Sequence, residues 1–460
     1  MSDLIVDNPY SLTEAVRLPF ADDAAVDRTL DAARAAARSW ARSPLAERVA
    51  LCTRAVEALE AARESIAADI TAMMGKPLRQ ARNEVGGTAK RARHMIAIAE
   101  ASLADTVLPL DGFDRRIVRE PHGVVFNLPA WNYPLLTAVN VVIPAILAGN
   151  AVVLKHSPRS PLCGEHFARA FAAAGAPAHL VQALHCSHPT SERIAGDPRV
   201  GYVAFTGSVY GGHRIYGAAA DKRFTDVGLE LGGKDAAYVC ADADLDQAVD
   251  GIVDGACYNA GQSCCAVERA YVHRSLYPRF VEAALELMRK YVLGDPTAEG
   301  VNMGPIAQPW HPAFIEKQIH QATAAGAKLL LGGHAKQIDG KGRFFEPTLL
   351  TDVAPGLDVV RVETFGPVLP IVAVDSDEEA LALINDSDLG LTASLWTKDH
   401  ARASHLARQI ETGTVYMNQC DSLDPALPWS GVKDSGKGAS LSALGFLALT
   451  RPKAINFKLA

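Results

Sequence analysis

The amino-acid sequence predicts an α/β protein in which helices cover both faces of a parallel sheet. Three observations support this prediction. The first third of the chain is patterned as helices, short apolar runs then alternate with helical stretches, and a second series of the same kind follows. Apolar strands that alternate with helices are typical of a doubly wound sheet, because crossover helices bury both of its faces.

The first third of the chain is predicted to be helical. Residues 22–41 and 44–74 are rich in Ala, Arg, Glu and Leu, with apolar residues three and four positions apart. That spacing places the apolar side chains on one face of a helix. A Gly-Lys-Pro sequence at 75–77 ends the second run, since Gly and Pro interrupt helices. A further helix is predicted for residues 84–104.

The rest of the chain is predicted to contain two α/β series in tandem. Helical stretches at 163–174 and 245–258 lie between short runs rich in β-branched residues. A second series runs from residue 278 to residue 410, and residues 450–459 have the pattern of an extended tail. The predicted strands of the first series are 123–126, 151–154, 200–205, 236–240 and 270–272.

Composition excludes several classes of protein. With 45 Lys and Arg against 52 Asp and Glu, the net charge is −7, whereas nucleic-acid binding favours a basic excess. The eight cysteines include no CxxC pair, so zinc ribbons and thioredoxin-like motifs lack their signature. No basic segment followed by an apolar run opens the chain, and the apolar stretch 135–148 is too short to span a bilayer. We therefore expect a reduced, cytoplasmic protein with no nucleic-acid or membrane partner.

Familiar ligand-binding motifs are incomplete in this sequence. Residues 228–234 have the spacing of a P-loop, but Asp235 stands where a Ser or Thr would hold magnesium. Residues 242–253 begin like an EF-hand, but Gln247 and Val253 replace the required Gly and Glu. Neither a GxGxxG string nor a paired histidine spacing occurs, so we expect no metal site and no standard dinucleotide fingerprint.

Three separate segments carry residues suited to nucleophilic catalysis. Cys264 follows a Gly-Gln loop, which allows a reachable thiol and exposed backbone amides. Glu230 lies between two leucines, where partial desolvation would raise its pKa and suit it to general-base work. Asn132 lies between two aromatic residues, and its amide can donate to an oxyanion. Alone, each residue has a plainer interpretation as a core cysteine, a surface carboxylate or a loop amide, so the prediction rests on their combination.

These three segments, in this order, resemble the aldehyde dehydrogenase superfamily. Further matching strings lie at 148–155, 205–208, 363–368 and 428–436, so the resemblance covers nearly the whole chain. Each string is moderately specific, and their common register from Pro129 to Gly436 leaves little room for chance. The His-Ser-Pro string after Lys155 is similar to one branch of the succinate semialdehyde dehydrogenases.

The resemblance implies that an aldehyde is oxidised to a carboxylic acid. Cys264 would attack the carbonyl to give a thiohemiacetal, while Asn132 and the backbone N–H of Cys264 hold the oxyanion. Hydride transfer to the nicotinamide would leave a thioester, which Glu230 would hydrolyse by activating water. Lys155 and Glu363 would bind ribose hydroxyls. The other implied cofactor contacts are Trp131, Pro158, Gly207, Ser208, Gly212, Leu231 and Phe365.

The cofactor side departs from the family pattern at one position. Many NAD-preferring members have a Glu three residues after the lysine that corresponds to Lys155, and this chain has Pro158 there. No carboxylate at that position repels a 2′-phosphate, and Arg159 is close enough in sequence to attract one. We therefore expect the chain to use NADP as well as NAD.

The substrate side departs as well. Relatives that resemble succinate semialdehyde dehydrogenase carry an Arg eight residues after the oxyanion Asn, and this chain has Asn140 there. Asn140 cannot form a charged bidentate pair with a carboxylate. The loop 418–424, expected on the substrate side, is polar and acidic. We expect a neutral or weakly polar aldehyde, and succinate semialdehyde stays an alternative.

Three rival functions have different requirements. CoA-acylating members and acyl-phosphate reductases typically lack the general-base Glu, whereas this chain has Glu230. A catalytically silent structural protein on the same fold would be free to lose Cys264, Glu230 or Asn132, and all three are present. A hydrolytic dehydrogenase is therefore favoured, with the silent protein kept as an alternative.

The resemblance also implies the architecture. Residues 1–231 would form a modified Rossmann cofactor domain, and residues 232–435 an α/β catalytic domain. A small β oligomerisation element would consist of a hairpin at 113–122, which interrupts the first domain, and the tail 440–460. The hairpin and the tail would pair across subunits, giving a homodimer or a homotetramer.

Overall fold

The computed structural model describes residues 3–459 of the 460-residue chain. A short 3₁₀ turn, Tyr258–Gly261, precedes the loop that holds Cys264. The helices, in chain order, are α1 (Asp23–Trp40), α2 (Leu45–Ala61), α3 (Arg63–Met74), α4 (Leu78–Leu103), α5 (Pro134–Leu147), α6 (Leu162–Ala173), α7 (His188–Ala195), α8 (Val209–Ala220), α9 (Leu245–Cys257), α10 (Tyr277–Met288), α11 (His311–Ala324), α12 (Asp358–Arg361), α13 (Asp377–Asn385), α14 (His400–Ala407) and α15 (Ser442–Ala448). The strands, in chain order, are β1 (Asp3–Asp7), β2 (Glu14–Pro19), β3 (Thr106–Val107), β4 (Phe113–Pro121), β5 (Val124–Leu128), β6 (Ala151–Leu154), β7 (Val181–Ala183), β8 (Val200–Thr206), β9 (Asp226–Glu230), β10 (Ala236–Val239), β11 (Arg269–His273), β12 (Lys328–Leu331), β13 (Ala335–Ile338), β14 (Lys341–Phe345), β15 (Thr348–Thr351), β16 (Val368–Val374), β17 (Leu389–Gly390), β18 (Thr392–Trp396), β19 (Thr414–Met417), β20 (Val432–Lys433), β21 (Gly436–Lys437) and β22 (Thr450–Lys458).

The first large sheet confirms the predicted parallel, doubly wound arrangement. Its strands lie in the order β21-β9-β8-β5-β6-β7, in which β5 to β9 run parallel and β21 pairs antiparallel with β9. Val125 and Val152 join one apolar cluster with α5 and α6, while Phe126 and Val153 join another with α1 and α8. The alternation of these side chains explains why β5 is buried throughout, as is usual for a strand covered on both faces.

The second large sheet is also mostly parallel. Its strands lie in the order β12-β15-β16-β11-β10-β18-β19, with the edge strand β12 antiparallel to β15. Helices α9, α10 and α11 pack in the apolar cluster on one face, and α13 and α14 pack on the other. The chain leaves the first sheet after β9 and returns to it at β21. The expected domain boundaries at 231 and 435 lie at these crossings, and the division into domains stays a prediction.

The helices of the first third match the sequence pattern with one difference. Helix α1 begins after Asp22, whose carboxylate accepts a hydrogen bond from the N–H of Ala25 at 2.7 Å. The single helix expected over 44–74 is two helices, because the backbone at Ala62 (ψ 11°) leaves the helical range. Helix α3 ends at Gly75 with φ 80°, a left-handed conformation that glycine adopts without strain. A Cβ there would also lie 2.6 Å from Pro305 Cγ.

Helix α5 is strongly apolar and lies inside the fold. Its sequence, Pro-Leu-Leu-Thr-Ala-Val-Asn-Val-Val-Ile-Pro-Ala-Ile-Leu, is buried along most of its length. A helix that is apolar on all sides is typical of a protein core. Within residues 3–459, none of the helices combines the length and the apolarity needed to cross a membrane.

A three-stranded antiparallel sheet, β22-β4-β3, corrects the expected pairing of the tail. Each residue of β22 faces one of β4, from Thr450 opposite Pro121 to Lys458 opposite Phe113. The sequence predicts a hairpin at 113–122 that pairs with the tail across subunits, whereas the structure has one strand there, β4, and pairs it with the tail within one chain. Helix α15 delivers the tail beside β4, so a partner in the same chain is available at a higher effective concentration than a second copy. The part these strands play in assembly stays a prediction.

Candidate active site

Several of the predicted site residues lie at one edge of the first sheet. Asn132 follows β5 and Lys155 follows β6. Gly207 and Ser208 follow β8, and Glu230 is the last residue of β9. The carboxyl ends of parallel strands meet at one edge, which is where ligands bind in open α/β sheets. The topology therefore gathers residues that are up to about a hundred positions apart in sequence.

The loop that carries Cys264 has a closely defined backbone. Asn259 and Ala260 both adopt left-handed conformations, with φ of 53° and 56°. The side chain of Gln262 closes the loop, since its Nε2 donates to the carbonyl of Asn259 at 3.0 Å. Its Oε1 accepts from the N–H of Ala307 at 2.9 Å. These contacts fix the path of the backbone that leads to Cys264.

Cys264 and Cys265 lie in different environments. Cys264 is partly exposed and lines a cavity of about 600 Å³. Cys265 is buried, and its Sγ donates to Asp421 Oδ1 at 2.8 Å. The neighbouring Cys264 thiol and burial both raise the pKa of Cys265 well above its usual value. Cys264 is therefore the accessible thiol of the pair, and Cys265 is a protonated thiol held by Asp421.

The loop that carries Asn132 is anchored through its backbone. The carbonyl oxygen of Asn132 accepts from Lys76 Nζ at 2.7 Å and from Asn259 Nδ2 at 3.3 Å. Lys76 is ion-paired with Glu84 in the interior, and Glu84 Oε1 accepts from the N–H of Leu135 at 2.9 Å. These bonds join α4, the start of α5 and the loop that carries Cys264. Among the described residues, none of the hydrogen bonds uses the side-chain amide of Asn132, which leaves its N–H groups available.

Glu230 opens onto the same cavity as Cys264. Its Oε1 accepts from the hydroxyl of Ser440, and its Oε2 accepts from Thr206 Oγ1 at 3.2 Å. Burial raises the pKa of Glu230, and the hydrogen bonds from Ser440 and Thr206 oppose that rise. The desolvation expected for this carboxyl is therefore present, and its catalytic role stays a prediction.

The segment after β9 packs against the loop that carries Cys264 and against Glu363. A Cβ on Gly233 would lie 2.7 Å from the carbonyl oxygen of Cys264, so the close approach requires glycine. The N–H of Gly233 donates to Glu363 Oε1 at 3.1 Å, and burial raises the pKa of Glu363 to about 8. Lys234 pairs with Glu268 at 2.6 Å, and Glu268 accepts from the two backbone N–H groups after Glu363. The buried pair thus fixes Glu363 at the site.

The start of helix α8 forms part of the expected cofactor cradle. Ser208 caps the helix, with its Oγ accepting from the N–H three residues further on at 3.1 Å. A Cβ on Gly207 would lie 2.7 Å from the ring of Phe205, and one on Gly212 would lie 2.7 Å from Leu231. The glycines therefore allow close packing around a helix N-terminus, which favours anions such as a diphosphate.

Lys155, Trp131 and Phe365 complete a cradle that fits a nicotinamide dinucleotide. Lys155 is buried, and within residues 3–459 its ammonium makes neither an ion pair nor a hydrogen bond. Trp131 and Phe365 meet edge to face with 5.5 Å between ring centroids, which brings the two sheets' loops together. Pro158 lies in the turn after Lys155 and is partly exposed. A buried cation, a helix N-terminus and Glu363 together suit a ligand with ribose hydroxyls and phosphates, and the individual contacts stay predictions.

The suggestion that Arg159 attracts a 2′-phosphate is wrong. Its guanidinium is buried and donates to both the carboxylate and the carbonyl oxygen of Asp7. The same carboxylate also pairs with Arg343. Asp7 lies near the start of the chain, far from Arg159 in sequence. The side chain of Arg159 therefore points towards Asp7, although Arg159 directly follows Pro158.

Sequence reasoning does not name several residues that surround Cys264. Arg91, Thr206 and Trp429 line the cavity with Cys264, and so does Asp421, which lies in the loop 418–424 that was expected on the substrate side. One signal for Arg91 exists in α4, where Glu84 and Thr88 are polar residues on the buried face. Arg91 follows them at helical spacing, seven and three residues on, so it shares that face. The buried polar face marks α4 as a wall of the site.

Comparison with known proteins agrees with this geometry. The sequence profile of the aldehyde dehydrogenase family matches residues 2–455. A probable succinate-semialdehyde dehydrogenase [NADP(+)] from Synechocystis sp. is 37% identical over 430 residues, which are 94% of this chain and 94% of that protein.

Solved structures are also similar. The crystal structure of an NAD-dependent aldehyde dehydrogenase from Sinorhizobium meliloti has a TM-score of 0.96 at 33% identity, covering 100% of this chain and 92% of that one. Lactaldehyde dehydrogenase from Escherichia coli has a TM-score of 0.95 at 31% identity, covering 100% and 96%. The matches extend over both sheets and the three segments that carry Asn132, Glu230 and Cys264, and the chain therefore belongs to the aldehyde dehydrogenase family.

Proposed function

We propose that this chain oxidises a neutral or weakly polar aldehyde to the carboxylic acid, with Cys264 as nucleophile and Glu230 as general base. The observation that carries the proposal is that the accessible thiol of Cys264 and the buried carboxyl of Glu230 line one cavity. As a family member, the chain is an oxidoreductase that acts on aldehydes with NAD or NADP.

Cys264 carries the substrate through the first half of the reaction. Its thiol loses its proton to solvent as the sulfur bonds to the aldehyde carbon and the C=O electron pair moves to the oxygen. The resulting oxyanion accepts hydrogen bonds from Asn132 Nδ2 and the backbone N–H of Cys264. Preorganised donors of this kind stabilise the developing charge because they need no reorganisation during the reaction. The bound nicotinamide cofactor supplies the hydride acceptor. Lys155, Glu363 and the start of α8 would hold that cofactor, with Trp131 and Phe365 as further walls of its site.

Glu230 completes the second half of the reaction. In its carboxylate form it takes a proton from water, which attacks the thioester on Cys264 and releases the acid. A CoA-acylating enzyme or an acyl-phosphate reductase needs no such base. The placement of Glu230 in the cavity therefore supports hydrolysis, and an intact set of Cys264, Glu230 and Asn132 argues against a silent structural protein.

The cavity walls support the substrate class. Asn140 lines the cavity at the position where a receptor Arg for a distal carboxylate is expected. Five carboxyl groups also line it, which disfavours an anion: Glu84, Glu230, Asp250, Asp254 and Asp421. Succinate semialdehyde is the second candidate, because the Synechocystis relative carries that substrate in its name.

We also infer a homodimer or homotetramer in a reduced, cytoplasmic setting. All eight cysteines lie in the described part of the chain and carry free thiols, which suits a thiol nucleophile. The three-stranded sheet carries exposed apolar side chains at Val107 and Phe457, which suit an interface between copies.

Thiol replacement tests the proposed chemistry. Purified protein with an aldehyde, NAD or NADP and no CoA should show growing near-ultraviolet absorbance of the reduced cofactor. Cys264→Ala should abolish this turnover, because no other thiol takes its place. Cys265→Ala is the matched control and should keep much of the activity. Unaltered turnover in Cys264→Ala would mean that the nucleophile is misassigned.

A further inference from the structure

Arg91 brings a cation to the cavity from helix α4. Its guanidinium Nη1 donates to Asn140 Oδ1 at 3.2 Å. The side chain is partly exposed, and the exposed part faces the cavity that Cys264 lines. Among the described residues, Arg91 is the one Lys or Arg in the cavity wall. The structure thus places a positive charge beside Asn140, where the sequence shows an uncharged amide alone.

The donors of Arg91 are largely unused. No carboxylate within residues 3–459 lies at ion-pair distance from its guanidinium, and the bond to Asn140 uses one of five N–H groups. Burial lowers the pKa of Arg91, and the more distant carboxylates of Glu230 and Asp421 oppose that effect. Arginine keeps its charge in proteins, so the remaining N–H groups need acceptors in the cavity.

The surroundings of Arg91 favour a hydroxyl as that acceptor. Asp421 and Glu230 supply hydrogen-bond acceptors in the same cavity, and burial raises the pKa of Asp421 to about 6. A hydroxyl group both accepts and donates, so it can satisfy Arg91 and a neighbouring carboxylate together. A substrate carboxylate can only accept, and it would meet the negative charges of the other walls.

We propose that Arg91, positioned by Asn140, determines specificity by donating to a hydroxyl oxygen of the aldehyde substrate. The substrate class is a short hydroxylated aldehyde, and the inference rests on the proposed aldehyde oxidation. Arg91 takes no part in bond making, since Cys264 and Glu230 supply those groups. Its effect is therefore expected in binding and in the ratio of rates between substrates with and without the hydroxyl.

Paired substrates test this role. In Arg91→Met, kcat/KM for glyceraldehyde should fall relative to that for propanal by roughly 10–100-fold, the usual worth of a hydrogen bond to a charged group. The loss should appear mainly in KM. Arg91→Lys keeps the charge without the planar fork and should lose less. The ratio of the two substrates cancels any effect that Arg91 has on Glu230, which both substrates share.

A matched control lies on the same helix. Arg93 is exposed and paired with Glu60 on the protein surface, so Arg93→Met should leave the substrate ratio unchanged. If Arg91→Met does not fold, the ratio of kcat/KM for glyceraldehyde to that for propanal is measured with Arg91→Lys instead.

Two outcomes would overturn the proposal. Equal losses for glyceraldehyde and propanal would mean that Arg91 is structural or acts through Glu230. A loss confined to succinate semialdehyde, measured against butanal, would mean that it binds a carboxylate. Failure of aldehyde oxidation itself is recognised separately, because the wild type would then turn over none of these substrates.

Discussion

Glu230 is subject to two opposing influences at the scale of a single residue. Burial favours its protonated form, whereas hydrogen bonds from Ser440 and Thr206 and the charge of Arg91 favour the carboxylate. The balance leaves its pKa above the ordinary value. A general base works only when deprotonated, so hydrolysis of the thioester should increase as the pH rises through this pKa.

Ser440→Ala should move the acidic limb of the kcat–pH profile to higher pH by about one pH unit. The hydroxyl of Ser440 donates to Glu230 Oε1, so its removal takes away a bond that stabilises the carboxylate. The measurement is kcat across pH under conditions in which thioester hydrolysis limits turnover. Ser440→Thr retains a hydroxyl and should keep the limb near its wild-type position. An acidic limb that stays in place in Ser440→Ala would show that this bond does not govern Glu230.

Candidate site residues can be found from the sequence alone where they lie in short recognisable motifs. Cys264, Glu230 and Asn132 are recognisable because each lies in a string with local meaning, and the structure brings their segments together. Arg91 has only an indirect signal: it follows Glu84 and Thr88 at helical spacing on the buried face of α4, and packing is needed to show that it reaches the cavity. The direction of a long side chain depends on its tertiary neighbours. It cannot be inferred from which residues are adjacent in the sequence.

The loop before Cys264 is the element that sets the position of the thiol. Three consecutive residues, Asn259, Ala260 and Gly261, adopt positive φ angles of 53°, 56° and 70°. The Gly-Gln string predicts a tight path here, and Asn adopts the left-handed conformation more readily than most residues, whereas Ala260 has no such signal. The loop packs closely against Gly366, because a Cβ on Gly261 would lie 2.2 Å from the carbonyl oxygen of Gly366.

Gly261→Ala should lower kcat/KM by at least about 100-fold, since small displacements of a nucleophile cost that much. Alanine at this φ is strained by about 1–2 kcal/mol, and its Cβ would push the loop away from Gly366. Aldehyde oxidation and urea unfolding are the measurements. Gly217→Ala is the matched control, because a Cβ there meets nothing within 4 Å and replaces a helical glycine. Wild-type activity in Gly261→Ala would show that the loop tolerates displacement.

Several strands of both sheets were predictable because they are short apolar runs between helical stretches, whereas β7, β9, β15 and β19 were not predicted. The predicted strands 236–240 and 270–272 belong to the second sheet, and their assignment to the first series was wrong. Strands β6, β8 and β11 lie within a residue or two of the sequence-based ranges. The partner of β22 was not predictable, because an extended pattern does not reveal which edge the strand joins. Nor does the sequence show that the chain returns to the first sheet at β21, a strand of two residues.

At the scale of the whole molecule, the exposed apolar residues of the three-stranded sheet suggest how copies assemble. The outer edge of β22 has no partner strand in the described part of the chain, so its backbone N–H and C=O groups remain available. Exposed apolar side chains lie on the same sheet or beside it. They are Val107 (63% exposed), Leu108 (45%), Leu110 (48%), Phe457 (60%) and Leu459 (55%).

Charge on this surface should therefore break the assembly. The double variant Val107→Glu, Phe457→Glu places carboxylates where apolar side chains would be buried between copies, and unpaired buried charge is costly. If the wild type forms the proposed dimer or tetramer, sedimentation velocity should show a smaller species for the double variant at the same concentration. Leu330→Glu is the control, because Leu330 is exposed (36%) on β12 of the other large sheet and should leave the mass unchanged. An unchanged mass in the double variant would locate the interface on another face of the molecule.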